Sequence, residues 1–214
     1  MRYLILITIF FLFNAFADGK TIFNKNFAGV VVILTDDGLG SGAIISEAGY
    51  VLTNSHVIGN YQEVELFIYG ADSVEESTHM AKVIKNDPTK DLALLKIQNP
   101  KYRMDVIDIS IIEPQPGDEA HAIGHPDGEI WSYTKGYISQ IREDYSWKYD
   151  ENIKMFATVL QIQTPINPGS SGGPLLNKYG NLIGINSFAN TGLQSMNYAI
   201  SVEEIIKFLG GKKQ

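Results

Sequence analysis

The chain has 214 residues, 44% hydrophobic and 19% charged, the makeup of a globular protein able to bury a sizeable core as one unit or two tightly joined subdomains. A formal net charge of −7 with no Lys/Arg-rich stripe excludes an electrostatic nucleic-acid surface. The chain contains no cysteine, which removes disulfides, thiol catalysis and cysteine-ligated zinc together.

The first element in chain order is a targeting segment. Met1-Arg2 supplies a positive start, Leu4 to Phe13 is apolar apart from Thr8, and Ala15-Phe16-Ala17 is a small-x-small cleavage signature. Residues 1–17 therefore read as a signal peptide cut after Ala17, leaving a mature chain that begins at Asp18. The apolar run falls short of the roughly 20 residues of a bilayer span. An uncleaved anchor or a buried strand is the competing reading. Export without cysteine points to a bacterial periplasm or to secretion, with membrane contact only through this segment.

Beyond it, short apolar runs rich in β-branched and aromatic residues alternate with Gly, Asn, Asp and Pro. The first group is Gly29–Leu34, Gly42–Ile45, Tyr50–Leu52, Val64–Tyr69, Ala81–Ile84 and Leu92–Ile97. After the break Glu113-Pro114-Gln115-Pro116-Gly117-Asp118 come Ala120–Ile123, Thr134–Ile141, Phe156–Ile162, Leu175–Leu176, Leu182–Ile185 and Met196–Ile200. This pattern predicts an all-β protein built as two six-stranded antiparallel barrels, about 27–112 and about 118–201. A short C-terminal helix over 202–209 follows, with Ser201 as N-cap and Gly210 as stop. The segment Arg142–Lys154 is polar, aromatic and acidic and reads as a long exposed loop, a place where site ordering could be controlled.

Three short stretches carry chemistry. Ser171 stands in Asn167-Pro168-Gly169-Ser170-Ser171-Gly172-Gly173-Pro174. Its surroundings match Gly-x-Ser-x-Gly, but a nucleophile elbow needs a helix after the serine and a later histidine. Pro174 follows at once, and no histidine occurs after His125. Backbone N–H groups of the run Gly169, Ser170 and Ser171, chiefly those of Gly169 and Ser171, can instead converge on a substrate carbonyl as an oxyanion hole. His56 follows the strand-like Tyr50–Thr53, where an imidazole can take the serine proton and return it to a leaving amine. Asp91 opens the apolar run Leu92–Ile97, where a carboxylate needs a partner, and a ring nitrogen of His56 would supply one. Asp87 is the better candidate to cap the turn Pro88-Thr89-Lys90. His79 in a polar turn, and His121 and His125 around Ala122-Ile123-Gly124, read as structural or surface residues. A zinc site on His121 and His125 lacks a third ligand, so no metal and no cofactor is expected.

Histidine, aspartate and serine in this chain order resemble the chymotrypsin-like serine proteases. The match is most specific to the protease domain of the HtrA (Deg) family. It is carried by Ser41-Gly42-Ala43-Ile44-Ile45, Gly49–Val57, Asp91–Ile97, Ile123-Gly124-His125-Pro126, Thr134–Ser139 and Gln163–Leu175, and it covers roughly residues 28–205. The resemblance implies a double β-barrel with the site in the cleft between barrels, and His56, Asp91 and Ser171 as catalytic triad. Members of that family usually carry C-terminal PDZ domains, whereas this chain ends after one helix, so PDZ-driven activation is not expected. Ser170 stands where trypsin-like zymogens use an aspartate to bind a newly cut N-terminus.

No Asp or Glu lies between Gln161 and Ile200, so cleavage after Lys or Arg is not expected. A modest apolar pocket is expected around Pro165, Ile166, Ser187, Phe188, Met196, Asn197 and Tyr198. Ser187, Phe188 and Ala189 are expected to bind an extended substrate as an added strand. The function expected is an exported serine endopeptidase acting on unfolded or flexible polypeptides, with self-association left open. A chaperone-like or adhesive binding protein on the same scaffold is the alternative.

Overall fold

The computed structural model describes residues 18–70, 77–100, 103–148, 154–189 and 196–211; the expected signal segment 1–17 lies outside them. Among the described residues, no helix is long and apolar enough to cross a membrane.

Among the described residues, twelve strands close into two six-stranded barrels. The first is formed by β1 (Val30–Thr35), β2 (Gly38–Ile44), β3 (Tyr50–Thr53), β4 (Glu63–Phe67), β5 (Thr78–Asp87) and β6 (Leu92–Ile97), in the order β1-β2-β3-β6-β5-β4. The second contains β7 (Glu119–Gly124), β8 (Ser132–Lys148), β9 (Lys154–Ile162), β10 (Pro174–Leu176), β11 (Leu182–Ala189) and β12 (Asn197–Ser201), in the order β10-β11-β12-β9-β8-β7. All pairings are antiparallel, and barrel closure removes exposed edges. The first barrel is filled by Val31, Ile33, Leu66 and Leu95, the second by Ala120, Ile138, Ile162 and Leu175. A third apolar cluster lies between the barrels and joins Val30, Ala43, Leu52 and Leu92 to Ile123, Val159 and Ile185. This seam fixes one barrel against the other, and the candidate site sits on it.

Two expectations are corrected, and one element is added. The segment from Arg142 is not an exposed loop: β8 continues to Lys148 and β9 resumes at Lys154, with only 149–153 outside the described residues. Tyr145 and Trp147 are drawn in because they stack with Phe188 and Tyr198, at 4.7 Å for Trp147–Phe188 and 5.1 Å for Tyr145–Tyr198. His79 lies in β5 opposite Leu66 and is buried, not in a polar turn. A helix that the strand pattern did not suggest, α1 (Gly19–Asn26), begins at Asp18, whose side chain accepts the Thr21 N–H. It buries Ile22 and stacks Phe23 on Phe27.

The C-terminal helix is α3 (Val202–Phe208); the single turn α2 (Ser55–Ile58) lies between β3 and β4. Ser201 caps α3 by accepting the Glu204 N–H, and Gly210, at φ +88°, ends it.

Candidate active site

His56 is placed by α2, directly after β3. Its ring Nδ1 lies 2.9 Å from both carboxylate oxygens of Asp91, and its backbone N–H donates to Asp91 Oδ1 at 3.1 Å. Asp91 is fully buried while the His56 side chain keeps 19% exposure, so the carboxylate faces the ring and the ring faces the cleft. The β5–β6 turn explains the placement. Asp87 Oδ1 accepts the N–H groups of Thr89 and Lys90, which leaves Asp91, at φ +55°, to turn inward before β6 begins. Asn54 Nδ2 donates to the Asp91 carbonyl and holds that left-handed backbone.

A further donor to Asp91 escaped the sequence. Ser187 Oγ donates to Asp91 Oδ2 at 2.5 Å. A bulge between Asn186 and Phe188 leaves Ser187 out of the β11–β12 pairing, which frees both its hydroxyl and its carbonyl for the site. The Ser171 hydroxyl donates to that carbonyl at 2.9 Å.

Asn167-Pro168-Gly169-Ser170 is a type II turn closed by the Ser170 N–H on the Asn167 carbonyl at 2.9 Å, with Pro168 second and Gly169 third at φ +94°. The Pro168 carbonyl accepts the Asp127 N–H at 2.9 Å, and Ser41 Oγ donates to the Gly169 carbonyl at 2.7 Å. Both carbonyls are thereby held away from the cleft. The N–H groups of Gly169 and Ser171 take no acceptor among the described residues. Ser170 is not a third donor to that position, because its N–H closes the turn. Ser41 was not legible as a supporting residue: it also donates its N–H to the Ser171 carbonyl and accepts the His125 N–H, across barrels. Gly172 meets the same surface, where a Cβ would lie 2.1 Å from the Ser41 carbonyl oxygen.

These groups open on one cleft of about 420 Å³, lined by His56, Ser171 and Gly169, by Ile166, Ser187, Phe188 and Ala189, and by Thr35, Asp37, Gly38 and Leu39 at the β1–β2 turn. Pro165, Met196, Asn197 and Tyr198 do not line it. Pro165 accepts a hydrogen bond from Thr134, Asn197 holds the Thr164 carbonyl, and Tyr198 stacks beneath Phe188 at 4.6 Å. Met196 packs against the inter-barrel seam. His125 is buried behind the Gly169 turn and accepts the Trp131 N–H at Nδ1; burial lowers its pKa to about 4. His121 is buried beside Tyr133, and burial holds it below the ordinary imidazole range.

The model of the trypsin-like peptidase domain matches residues 40–185, more than half of the chain, a span that includes His56, Asp91, Gly169 and Ser171. The chain belongs to the trypsin-like peptidases. Among relatives, it is 37% identical over 169 residues to a probable periplasmic serine endoprotease, DegP-like, of Pseudomonas fluorescens, covering 77% of this chain and 33% of the relative. It is 37% identical over 152 residues to the periplasmic pH-dependent serine endoprotease DegQ of Escherichia coli, covering 71% and 31%. The chain thus spans about a third of the length of these curated relatives. The crystal structure of the serine endoprotease from Yersinia pestis superposes with a TM-score of 0.73 at 30% identity, covering 91% of this chain and 66% of that one. A protease of M. tuberculosis in its active form shares the fold, with a TM-score of 0.77 at 21% identity over 88% of this chain and 82% of its own. The relatives of this trypsin-like peptidase are of the HtrA (Deg) type, and its two barrels are of the chymotrypsin-like kind.

Proposed function

We propose that the chain is an exported, HtrA-like serine endopeptidase in which Ser171 is the nucleophile, His56 its general base and Asp91 the group that orients His56. The observation that carries this reading is the unused pair of N–H groups at Gly169 and Ser171, on the same cleft as an imidazole fixed by a buried carboxylate. Asp91 at Nδ1 holds the tautomer that leaves the other ring nitrogen basic.

The resting hydroxyl of Ser171 donates to the Ser187 carbonyl. An extended substrate pairing with Ser187–Ala189 would bring its own N–H to that carbonyl and release Oγ toward His56. Oγ then attacks the scissile carbonyl while His56 takes its proton, and the Gly169 and Ser171 N–H groups stabilise the oxyanion. His56 returns the proton to the leaving amine. Water, activated by the same imidazole, cleaves the acyl-enzyme. Ile166 and Phe188 support small or medium apolar side chains before the cut; the carboxylate that does line the cleft, Asp37, stands on the β1–β2 turn of the other barrel. Unfolded or flexible polypeptides are the substrates this cleft admits, because a bound segment must lie extended along β11. Periplasmic location is supported by the names of the relatives and by the signal-like pattern of residues 1–17.

The resting Ser171–Ser187 bond is what a non-catalytic binding protein would keep. Degradation of an unfolded protein such as reduced casein separates the two. The peptidase reading expects fragments with wild type and none with Ser171→Ala; binding without fragments in both would overturn it. Faster cleavage after Lys or Arg than after Val or Ala would overturn the specificity.

A further inference from the structure

The turn that carries Asp91 belongs to the first barrel, yet it is gripped by the second. Lys90, the residue before Asp91, pairs with Glu204 of α3 at 3.1 Å. The Glu204 side chain is only 6% exposed and that of Lys90 29%. Burial raises the Glu204 carboxyl, but the hydrogen bond and charge of Lys90, with Lys207 nearby, hold it below the usual carboxylate value. The carboxylate also approaches the Thr158 N–H of β9, at the long distance of 3.5 Å. Two neighbouring contacts follow the same seam: Phe156 of β9 donates its N–H to the Thr89 carbonyl at 2.8 Å, and Lys85 of β5 donates to the Phe208 carbonyl while lying 4.5 Å from the Phe208 ring centre. The β5–β6 turn is therefore fastened to α3 through Lys90 and to β9 through Thr89, and strand β5 before it to the end of α3 through Lys85.

His56 and Asp91 sit on the first barrel, while Ser171 and Ser187 sit on the second. Whatever sets the position of that turn against β9 and α3 sets how Asp91 meets Ser187 and how His56 meets Ser171. Asp91 cannot relax by turning, since its carbonyl is held by Asn54 at φ +55° and its carboxylate is fully buried. A buried ion pair is poor evidence for stability in itself, but it is directional and therefore suited to fixing register.

We propose that Lys90 and Glu204 are positioning residues for the triad: their ion pair ties the Asp91 turn to α3 and so fixes the first barrel's half of the site against the second's. This rests on the peptidase reading above, and it adds that the helix after the last strand is part of the catalytic geometry. A displacement of about 1 Å in a catalytic group can cost up to a hundredfold in rate, so a partial shift of the turn is expected to lower kcat about tenfold.

The test is steady-state kinetics on a peptide substrate with Glu204→Gln, Lys90→Met, the double variant, Lys90→Arg, and Lys207→Ala as a control on the same helix, each checked for folding by urea unfolding. Positioning predicts that Glu204→Gln and Lys90→Met each lower kcat about tenfold while KM stays within twofold. The double variant should be no worse than the poorer single one, since both break one link. Lys90→Arg should recover most of kcat, and Lys207→Ala, which removes the Glu203 pair and a 3.4 Å contact to Glu204 but keeps the Lys90–Glu204 link, should lower it by less than twofold. Folded Glu204→Gln with wild-type kcat, or losses that multiply in the double variant, would overturn the proposal and leave the peptidase reading intact. A wild type with no turnover, indistinguishable from Ser171→Ala, would overturn both.

Discussion

Gly169→Ala is the perturbation whose size follows most directly from the structure. An added Cβ would stand 2.3 Å from the His125 carbonyl oxygen, ~1 Å inside an ordinary C···O contact. The backbone there has φ +94°, and left-handed geometry costs an L-residue about 1–2 kcal/mol. Both strains are relieved if the Pro168–Gly169 peptide flips and the turn becomes type I, which alanine accepts. That flip breaks the Asp127 N–H bond to the Pro168 carbonyl, a loss of about 1 kcal/mol. It also turns the residue 169 N–H out of the cleft. Removing one oxyanion donor costs about 3–4 kcal/mol, or 10²–10³ in kcat, because the donor acts mainly in the transition state. Steady-state kinetics on a chromogenic peptide should therefore show kcat reduced at least about a hundredfold, KM nearly unchanged and the urea midpoint only slightly lower. A folded variant with kcat within about threefold of wild type, less than one donor is worth, would refute the role assigned to the Gly169 N–H.

Other predictions follow from the same geometry. Ser187→Ala removes the hydroxyl that donates to Asp91 Oδ2 but keeps the carbonyl; at about 1.5–3 kcal/mol for a hydrogen bond to a charged group, kcat/KM should fall roughly ten- to hundredfold, and an unchanged value would remove the Ser187 hydroxyl from the catalytic geometry. Buried His125, lowered to about 4, stays neutral in the folded chain while an unfolded chain protonates it at its ordinary value. Stability should accordingly fall as pH drops from about 6.5 to about 4, by roughly 3 kcal/mol for this group, and change no further through it below that. Urea titrations of the wild type and of His125→Asn at several pH values measure the difference; identical slopes with pH would contradict it. Trp147→Ala removes one face of the stack on Phe188 and should raise KM for extended substrates while costing about 2 kcal/mol of stability. A KM equal to wild type would detach the β8–β9 hairpin from substrate binding.

The strands were legible because their apolar β-branched runs end at Gly, Pro or Asn, a local signal that needs no partner. The extension of β8 through Arg142–Lys148 was not, since it is polar except for Tyr145 and Trp147, which are inward only because Phe188 and Tyr198 arrive from later in the chain. Helix α1 carries too few apolar positions to show a period, and only Asp18 as a cap could have suggested it. Within the site, the order of His56, Asp91 and Ser171 was readable because each stands at the end of a recognisable run. Ser41, the Ser187 hydroxyl and the Lys90–Glu204 pair were silent, as their partners lie 128, 96 and 114 positions away and a lone Ser or Lys has no local mark of what it will meet. That the Ser170 N–H closes the turn was silent for a related reason. Which N–H of a glycine-serine run faces the cleft depends on the turn type, and that is settled by packing against His125 and Asp127.

Covalent labelling with a fluorophosphonate tests the central claim most directly, because such a probe reacts only with a serine activated as described for Ser171. Mass spectrometry of the labelled chain should show a single adduct per molecule, placed on the peptide containing Ser171. It should be absent in Ser171→Ala and strongly slowed in His56→Ala. A folded wild-type chain that takes no label, or takes it equally well without Ser171, would contradict the account.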